Sequence, residues 1–100
     1  MTSLSSAQRK QLRGLAHGLK PVVMIGKAGL AAAQLTQIDG ALADHELIKV
    51  RFLAGKPEPE QVAEVERKLG CGAAGVIGHI AILYRQHPEP EKRRIRLERP

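Results

Sequence analysis

The sequence predicts a small α/β domain with the element order α-β-α-β-α-β-β, and three observations support this. Short apolar runs rich in β-branched residues alternate with segments whose apolar residues recur every three or four positions, which is the strand and helix pattern respectively. Glycine and proline separate these segments. At 100 residues with 43% apolar content, the chain is long enough for one domain with a modest core.

The connectivity predicts how the strands pair. Strand–helix–strand units favour parallel neighbours, whereas two consecutive strands joined near Gly78 favour an antiparallel pair. The expected result is a four-stranded mixed sheet in a two-layer α+β arrangement, with the second and third helices on the same face. The pattern leaves open where the first helix docks.

The first helix is predicted to begin at Ser5, because Ser5 followed by Gln8 fits a capping box. Gly18 and the Lys20-Pro21 pair are expected to end it. Its apolar face is predicted to contain Leu12, Leu15, Ala16 and Leu19. A basic stripe lies beside that face and consists of Arg9, Lys10, Arg13 and His17.

The next segment, Pro21–Ile25, is apolar at every position, which predicts a strand covered on both faces. The sequence "GKAG" (Gly26–Gly29) then turns the chain into a second helix, predicted over Leu30–Ala43. The buried positions of this helix are predicted to be Leu35, Ile38 and Leu42. Gly40 within the helix predicts a close packing contact, because glycine in a helix interior is otherwise unfavourable.

The remaining elements follow from alternation and turn chemistry. Glu46–Leu53 alternates apolar and polar residues and predicts a strand, and Pro59 suits the first turn of the third helix. Val62, Val65 and Leu69 form the predicted buried stripe of that helix, which Gly70 or Gly72 ends. The prediction divides the chain into a domain at 1–86 and a basic, extended and frayed tail at 87–100.

Charge is unevenly distributed along the chain. The formal net charge is +6, and residues 1–38 contain no acidic residue. Residues 39–70 are slightly acidic, and "EKRRIRLERP" at the end is basic again. A basic and segregated charge pattern predicts a polyanionic partner.

Other function classes lack support in the sequence. Cys71 is the single cysteine, which fits a reducing, cytoplasmic setting. The four histidines lack metal-ligand spacing, and no targeting segment or membrane span is visible. We therefore expect a non-catalytic, cytoplasmic monomer without cofactor, metal, membrane or small-molecule substrate.

The "GKAG" segment is the strongest local signal. A G-x-x-G loop can hold a sugar–phosphate backbone, as in KH domains, because glycine allows close approach and unpaired amides meet the phosphate. Here Gly26 and Gly29 flank Lys27 and Ala28. Phe52 and Tyr84 are expected in the core, so recognition should depend on nucleic-acid backbone and shape, and charge alone does not exclude DNA. The candidate contacts outside the loop and the basic stripe are Lys20, Lys49 and Arg51.

Four segments, in this order and spacing, also carry a family resemblance. They are "LRGLAHGLKPVVMIGKAGL" (12–30), "HELIKVRF" (45–52), "VIG" (76–78) and "LYR" (83–85). Together they resemble the bacterial YhbY family, the stand-alone form of the CRM (chloroplast RNA splicing and ribosome maturation) domain, from about Leu4 to Arg85. The tail segment "KRRIRL" is also similar, whereas "AGKPEPEQ" departs from the family pattern.

The resemblance implies a fold like the C-terminal domain of translation initiation factor three. It also implies RNA binding, association with precursors of the large ribosomal subunit, and a GxxG loop at Gly26–Gly29. The leading interpretation is a non-catalytic RNA-binding protein in large-subunit assembly. The alternative is a basic adaptor that docks on ribosomal or other acidic proteins without holding RNA.

Overall fold

The computed structural model describes residues 3–99 and contains the predicted elements in the predicted order. The helices are α1 (Ser6–Ala16), α2 (Ala32–His45) and α3 (Pro59–Leu69). The strands are β1 (Val23–Ile25), β2 (Leu47–Phe52), β3 (Gly72–Ile77) and β4 (Ile80–Tyr84). A short 3₁₀ turn, Pro90–Lys92, follows β4. The predicted α/β fold class is confirmed.

The four strands form one mixed sheet in the order β1-β2-β4-β3. β1 runs parallel to β2, and β4 lies between β2 and β3 and is antiparallel to both. A register irregularity interrupts β3 between Ala73 and Gly75. The sheet is therefore mixed as predicted, with one parallel pair at the β1 edge. The expectation of parallel neighbours is wrong for β2 and β3, because β4 lies between them.

The first face of the sheet, here called the closed face, is covered by α2 and α3. Ile38 and Leu42 of α2 and Val65 of α3 are buried in one cluster with Ile48, Val50 and Phe52 of β2. Leu35 and Leu69 pack against this cluster. The prediction that both helices cover the same face is confirmed.

The second face, here called the open face, is covered in part by α1. Leu12 and Ala16 pack against the strand side chains that point away from the closed face. These are Leu47, Ala74, Ile82 and Tyr84. The predicted two-layer arrangement is therefore wrong in one respect, since the sheet lies between two layers of helix. Because these strand residues lie toward one end of the face, the other end has no helix over it.

The helix α1 keeps its predicted start but not its predicted apolar face. Ser5 Oγ accepts from the Gln8 amide, and Gln8 Oε1 accepts from the Ser5 amide, so the capping box is confirmed. Leu15 is 50% exposed and Leu19 is 41% exposed. The helix ends at Ala16, which places Leu19 beyond it, and Leu4, which precedes the helix, is buried in one cluster with Leu12 and Ala16.

Two further expectations fail because of where the elements lie in the sheet. β1 is an edge strand, and Met24 is 49% exposed because α1 does not reach it, so β1 is covered on one face only. Gly40 lies on the exposed side of α2, and a Cβ added to it would have no neighbouring atom within 4 Å. Gly40 therefore has no close packing contact.

A buried carboxylate fastens the C-terminal tail to the domain. Glu46 is 2% exposed, and its Oε1 and Oε2 accept the backbone N–H groups of Arg94 (2.7 Å), Ile95 (3.2 Å) and His87 (2.8 Å). We call these four residues the tail clasp. Glu46 also has φ 63°, a left-handed value that costs about 1–3 kcal/mol for most residues.

The rest of the tail runs along α1. Gln8 Nε2 donates to the Glu98 carbonyl, and Gln11 bonds both the Arg96 carbonyl and the Glu98 amide. Ile95 and Leu97 pack on the cluster beneath α1. The tail is extended as predicted, but the expectation that it frays is wrong.

Candidate nucleic-acid interface

The GKAG loop forms a tight turn at the end of β1. The Gly29 amide donates to the Gly26 carbonyl at 3.0 Å, and Gly29 has φ 76°, a left-handed value that favours glycine. A Cβ added to Gly26 or Gly29 would have no neighbouring atom within 4 Å. The side chains of Lys27 and Ala28 are exposed. The outer surface of the turn is therefore free for the close approach of another molecule.

The helix that follows this turn starts two residues later than predicted. α2 begins at Ala32, and its N-cap residue Ala31 makes no side-chain capping bond. The Ala31 amide donates to the Gly29 carbonyl at 3.1 Å, which connects the turn to the helix. Because no side chain caps α2, its first-turn amides and the positive end of its dipole remain available near the loop.

A second glycine–lysine segment lies beside the GKAG loop. Gly55, with φ 150°, and Lys56 follow β2 and line a cavity of about 210 Å³ together with Gly26, Lys27 and Gly29. Glu58 also lines this cavity, although its carboxylate caps the α3 N-terminus. Lys56 was not among the contact residues predicted from the sequence. Parallel strands end at the same edge of a sheet, so the predicted β1–β2 pairing already placed both segments together.

Two of the predicted contact residues are used inside the protein. Arg13 Nη1 donates to the Ala74 carbonyl at 2.7 Å, and its stem lies over Gly75, where a Cβ would be 3.0 Å from the arginine Cδ. Lys49 Nζ donates to the carbonyls of Leu19 (3.0 Å) and His17 (3.4 Å). Arg13 thus anchors α1 to β3, and Lys49 holds the connection between α1 and β1.

The other predicted contact residues remain exposed. On α1 these are Arg9 and Lys10, and on the connection to β1 they are His17 and Lys20. Arg51 is exposed on the open face, between Met24 of β1 and Ile80 of β4. Their role in binding stays a prediction.

Acidic residues are absent from α1 and from all four strands. Seven acids lie on α2, on α3 or at their caps: Asp39, Asp44, Glu46, Glu58, Glu60, Glu64 and Glu66. The remaining acids are in the tail: Glu89, Glu91 and Glu98. The predicted charge segregation is therefore partial in space, because α1 and the strands contain no acidic residue but Glu98 of the tail lies beside α1.

Residues 3–99 bring together no three His, Cys, Asp or Glu side chains able to hold a metal ion. Burial raises the pKa of the Cys71 thiol to about 11, which makes it a poor nucleophile at neutral pH. None of the helices described there is long and apolar enough to cross a membrane.

The sequence and structure resemble known proteins. The model of the CRS1 / YhbY (CRM) domain family matches residues 4–85. An RNA-binding protein of Haemophilus influenzae is 43% identical over 91 residues, which cover 89% of this chain and 92% of that protein. A probable RNA-binding protein of Pseudomonas aeruginosa is 33% identical over 92 residues, covering 90% and 88% respectively.

A solved structure is similar as well. The solution structure of a Staphylococcus aureus protein matches with a TM-score of 0.70 and 31% sequence identity. The match covers 94% of this chain and 100% of the other. The similarity therefore extends over the helices, the sheet and the loop described above.

Proposed function

This chain belongs to the CRS1 / YhbY (CRM) domain family, and from that premise we propose that it is a non-catalytic RNA-binding protein. Its GKAG loop holds the sugar–phosphate backbone, and the exposed cations of α1 extend the contact. The names of the Haemophilus and Pseudomonas relatives support RNA as the class of partner. In this proposal the protein acts in the cytoplasm as a monomer.

The observation that carries this proposal is the open GKAG turn, which lies beside Lys56 and at the end of a strand without acidic residues. Gly26 and Gly29 leave room for a phosphate, and Lys27 and Lys56 line the same cavity. The uncapped start of α2 adds amide donors nearby. A phosphate at this edge meets positive charge and unpaired N–H groups, whereas a neutral ligand gains little from either.

We further propose that the bound RNA is a precursor of the large ribosomal subunit. The support is the family itself, whose name associates the domain with ribosome maturation. The alternative, a basic adaptor on acidic proteins, uses the same positive surface without holding RNA. A salt series on protein-free ribosomal RNA fragments separates the two, because each phosphate contact contributes about −0.7 to −0.9 to the log–log slope.

The direct test of the loop replaces Lys27 and Ala28 with aspartate. Both side chains are exposed, both glycines remain, and neither position belongs to the core, so the fold should be unchanged. One positive charge becomes two negative charges where the phosphate is expected. We expect RNA affinity to fall about tenfold or more, with an unchanged melting temperature.

A matched control makes the same charge change on α3. Ala63→Asp with Arg67→Asp replaces an exposed alanine and an exposed cation on the opposite side of the sheet. This control should bind RNA nearly as well as the wild type. If the loop variant melts normally and binds like the control, the loop is only a turn. If the wild type binds no protein-free RNA at any salt concentration, the adaptor alternative replaces the proposal.

A further inference from the structure

The uncovered end of the open face presents one side chain from each strand in a single row. Met24 of β1 pairs with Arg51 of β2, Arg51 pairs with Ile80 of β4, and Ile80 pairs with Ile77 of β3. We call these four residues the uncovered row. With neighbouring strands about 4.8 Å apart, it extends roughly 14 Å across the sheet.

The exposure of this row is unusual for a folded core face. Met24 is 49% exposed and Ile77 is 61% exposed, and Val22 beside the row is 51% exposed. Elsewhere on the same face, α1 and the tail cover Leu47, Ile82 and Tyr84. Met24 and Ile77 lie at the two ends of the row, and exposed apolar side chains grouped on one face of a domain indicate a surface that another molecule covers.

The charge within the row indicates what that molecule is. Arg51 lies among apolar neighbours, no strand carries an acidic residue, and the ion pairs among residues 3–99 do not include Arg51. Its guanidinium is therefore a planar cation without an internal partner. Such a group stacks on unpaired nucleobases, and aliphatic side chains can pack against the faces of the bases.

We propose that the uncovered row binds the bases of an unpaired RNA strand whose phosphate backbone is held at the GKAG loop. This proposal rests on the proposed function and adds a place for the bases. The loop directly continues β1, so Met24 is only two residues from Gly26. Because stacking on Arg51 and aliphatic side chains needs no base-specific hydrogen bond, the site tolerates different base sequences.

The test compares two probes with the same number of phosphates: a short unstructured RNA and an abasic ribose-phosphate oligomer of equal length. The wild type should bind the RNA about tenfold more tightly than the abasic oligomer, since stacking adds to the phosphate contacts. Arg51→Lys keeps the charge and removes the planar group, and it should lose most of this preference. Met24→Ser with Ile77→Ser should do the same.

Two controls match these variants in residue type and exposure. Arg67→Lys changes an exposed arginine on α3, and Leu15→Ser changes an apolar residue that is 50% exposed on α1. Both controls should keep the wild-type preference for the base-containing probe. Binding of the abasic oligomer should be nearly the same for all of these proteins, because the phosphate contacts at the loop remain.

The outcomes separate this proposal from the proposed function. Equal wild-type affinity for both probes overturns the base-binding row and leaves the phosphate grip intact. A normal preference in Arg51→Lys and in the Met24/Ile77 variant also overturns it. If the row variants bind RNA normally but lose binding to ribosomal particles, the row is a protein-docking surface. Absence of any RNA binding overturns both proposals.

Discussion

The two faces of the sheet differ in how completely they are covered. On the closed face, α2 and α3 bury side chains of β1, β2 and β4 in one continuous cluster. Acidic residues line the outside of these helices. On the open face, α1 buries a smaller cluster and leaves Met24 and Ile77 exposed. Both faces therefore contribute to the core, but only the open face leaves apolar side chains exposed at one end of the sheet.

The buried side chains of the two faces nevertheless belong to one domain. Leu42 of α2 and Leu12 of α1 are 1% and 0% exposed. We expect Leu42→Ala and Leu12→Ala each to reduce the free energy of unfolding by about 2–5 kcal/mol. Urea unfolding followed by circular dichroism should remain a single transition in both variants, because the two clusters share the same sheet.

Leu15→Ala is the control for this comparison. Leu15 is on the same helix as Leu12 but is half exposed, so the change should be within about 0.5 kcal/mol. A separate early transition in Leu12→Ala alone would show that α1 unfolds independently of the closed face. The two faces would then differ in how they unfold as well as in whether they bind RNA.

Charge reversal on each face should sharpen the contrast in binding. Arg9→Glu with Lys10→Glu should weaken RNA binding about tenfold, and should reduce the steepness of the salt dependence by about 1.5, as two lost phosphate contacts imply. Arg67→Glu with Lys68→Glu makes the same charge change on α3 and should have little effect. Arg13 is unsuitable for this test because its bond to the Ala74 carbonyl supports the fold.

The result is measured by titration of a labelled RNA fragment at several salt concentrations. Equal losses for the two double variants would show that only net charge matters, and the distinction between the faces would fail for binding. An unchanged affinity of the α1 variant would remove this helix from the contact surface.

The smallest expected effect concerns the cluster beneath α1. The Tyr84 hydroxyl is buried and has no hydrogen-bond partner, and burial raises the pKa of this group. Tyr84→Phe removes an unsatisfied polar atom and keeps the ring, so stability should be unchanged or higher by about 1 kcal/mol at most. Urea unfolding at neutral pH measures this change in the free energy of unfolding, with Tyr84→Leu as the destabilised control. A loss in Tyr84→Phe similar to that in Tyr84→Leu would contradict this account.

Local chemistry made much of the fold predictable. The Ser5–Gln8 capping box, Pro59 at the start of α3 and Gly70 at its end all act through residues close in the sequence. The side on which α1 docks was not predictable, because Leu15 and Leu19 continue its apolar pattern although they are exposed. Periodicity shows which residues of a helix are apolar, but it does not show which of them the rest of the fold covers.

The candidate site was predictable to a similar extent. The GKAG turn follows from its glycines, whereas the internal bonds of Arg13 and Lys49 depend on carbonyls that only the folded chain brings near. The tail clasp was missed for the same reason, since its donors are backbone amides and have no sequence signature. Whether the exposed cations contact RNA stays a prediction.

The tail clasp has a consequence for the order of events during synthesis. Glu46 is made before its partners, and at about 5–20 residues per second the ribosome needs roughly 2 to 10 seconds to reach Ile95. Until His87 has been made the carboxylate has none of its amide donors, and the two donors to Oε1 follow only with Arg94 and Ile95. A chain that stops before Arg94 never acquires these donors. We therefore expect a chain truncated before Arg94 to hold its tail less firmly and to be more sensitive to proteases than the chain of 100 residues.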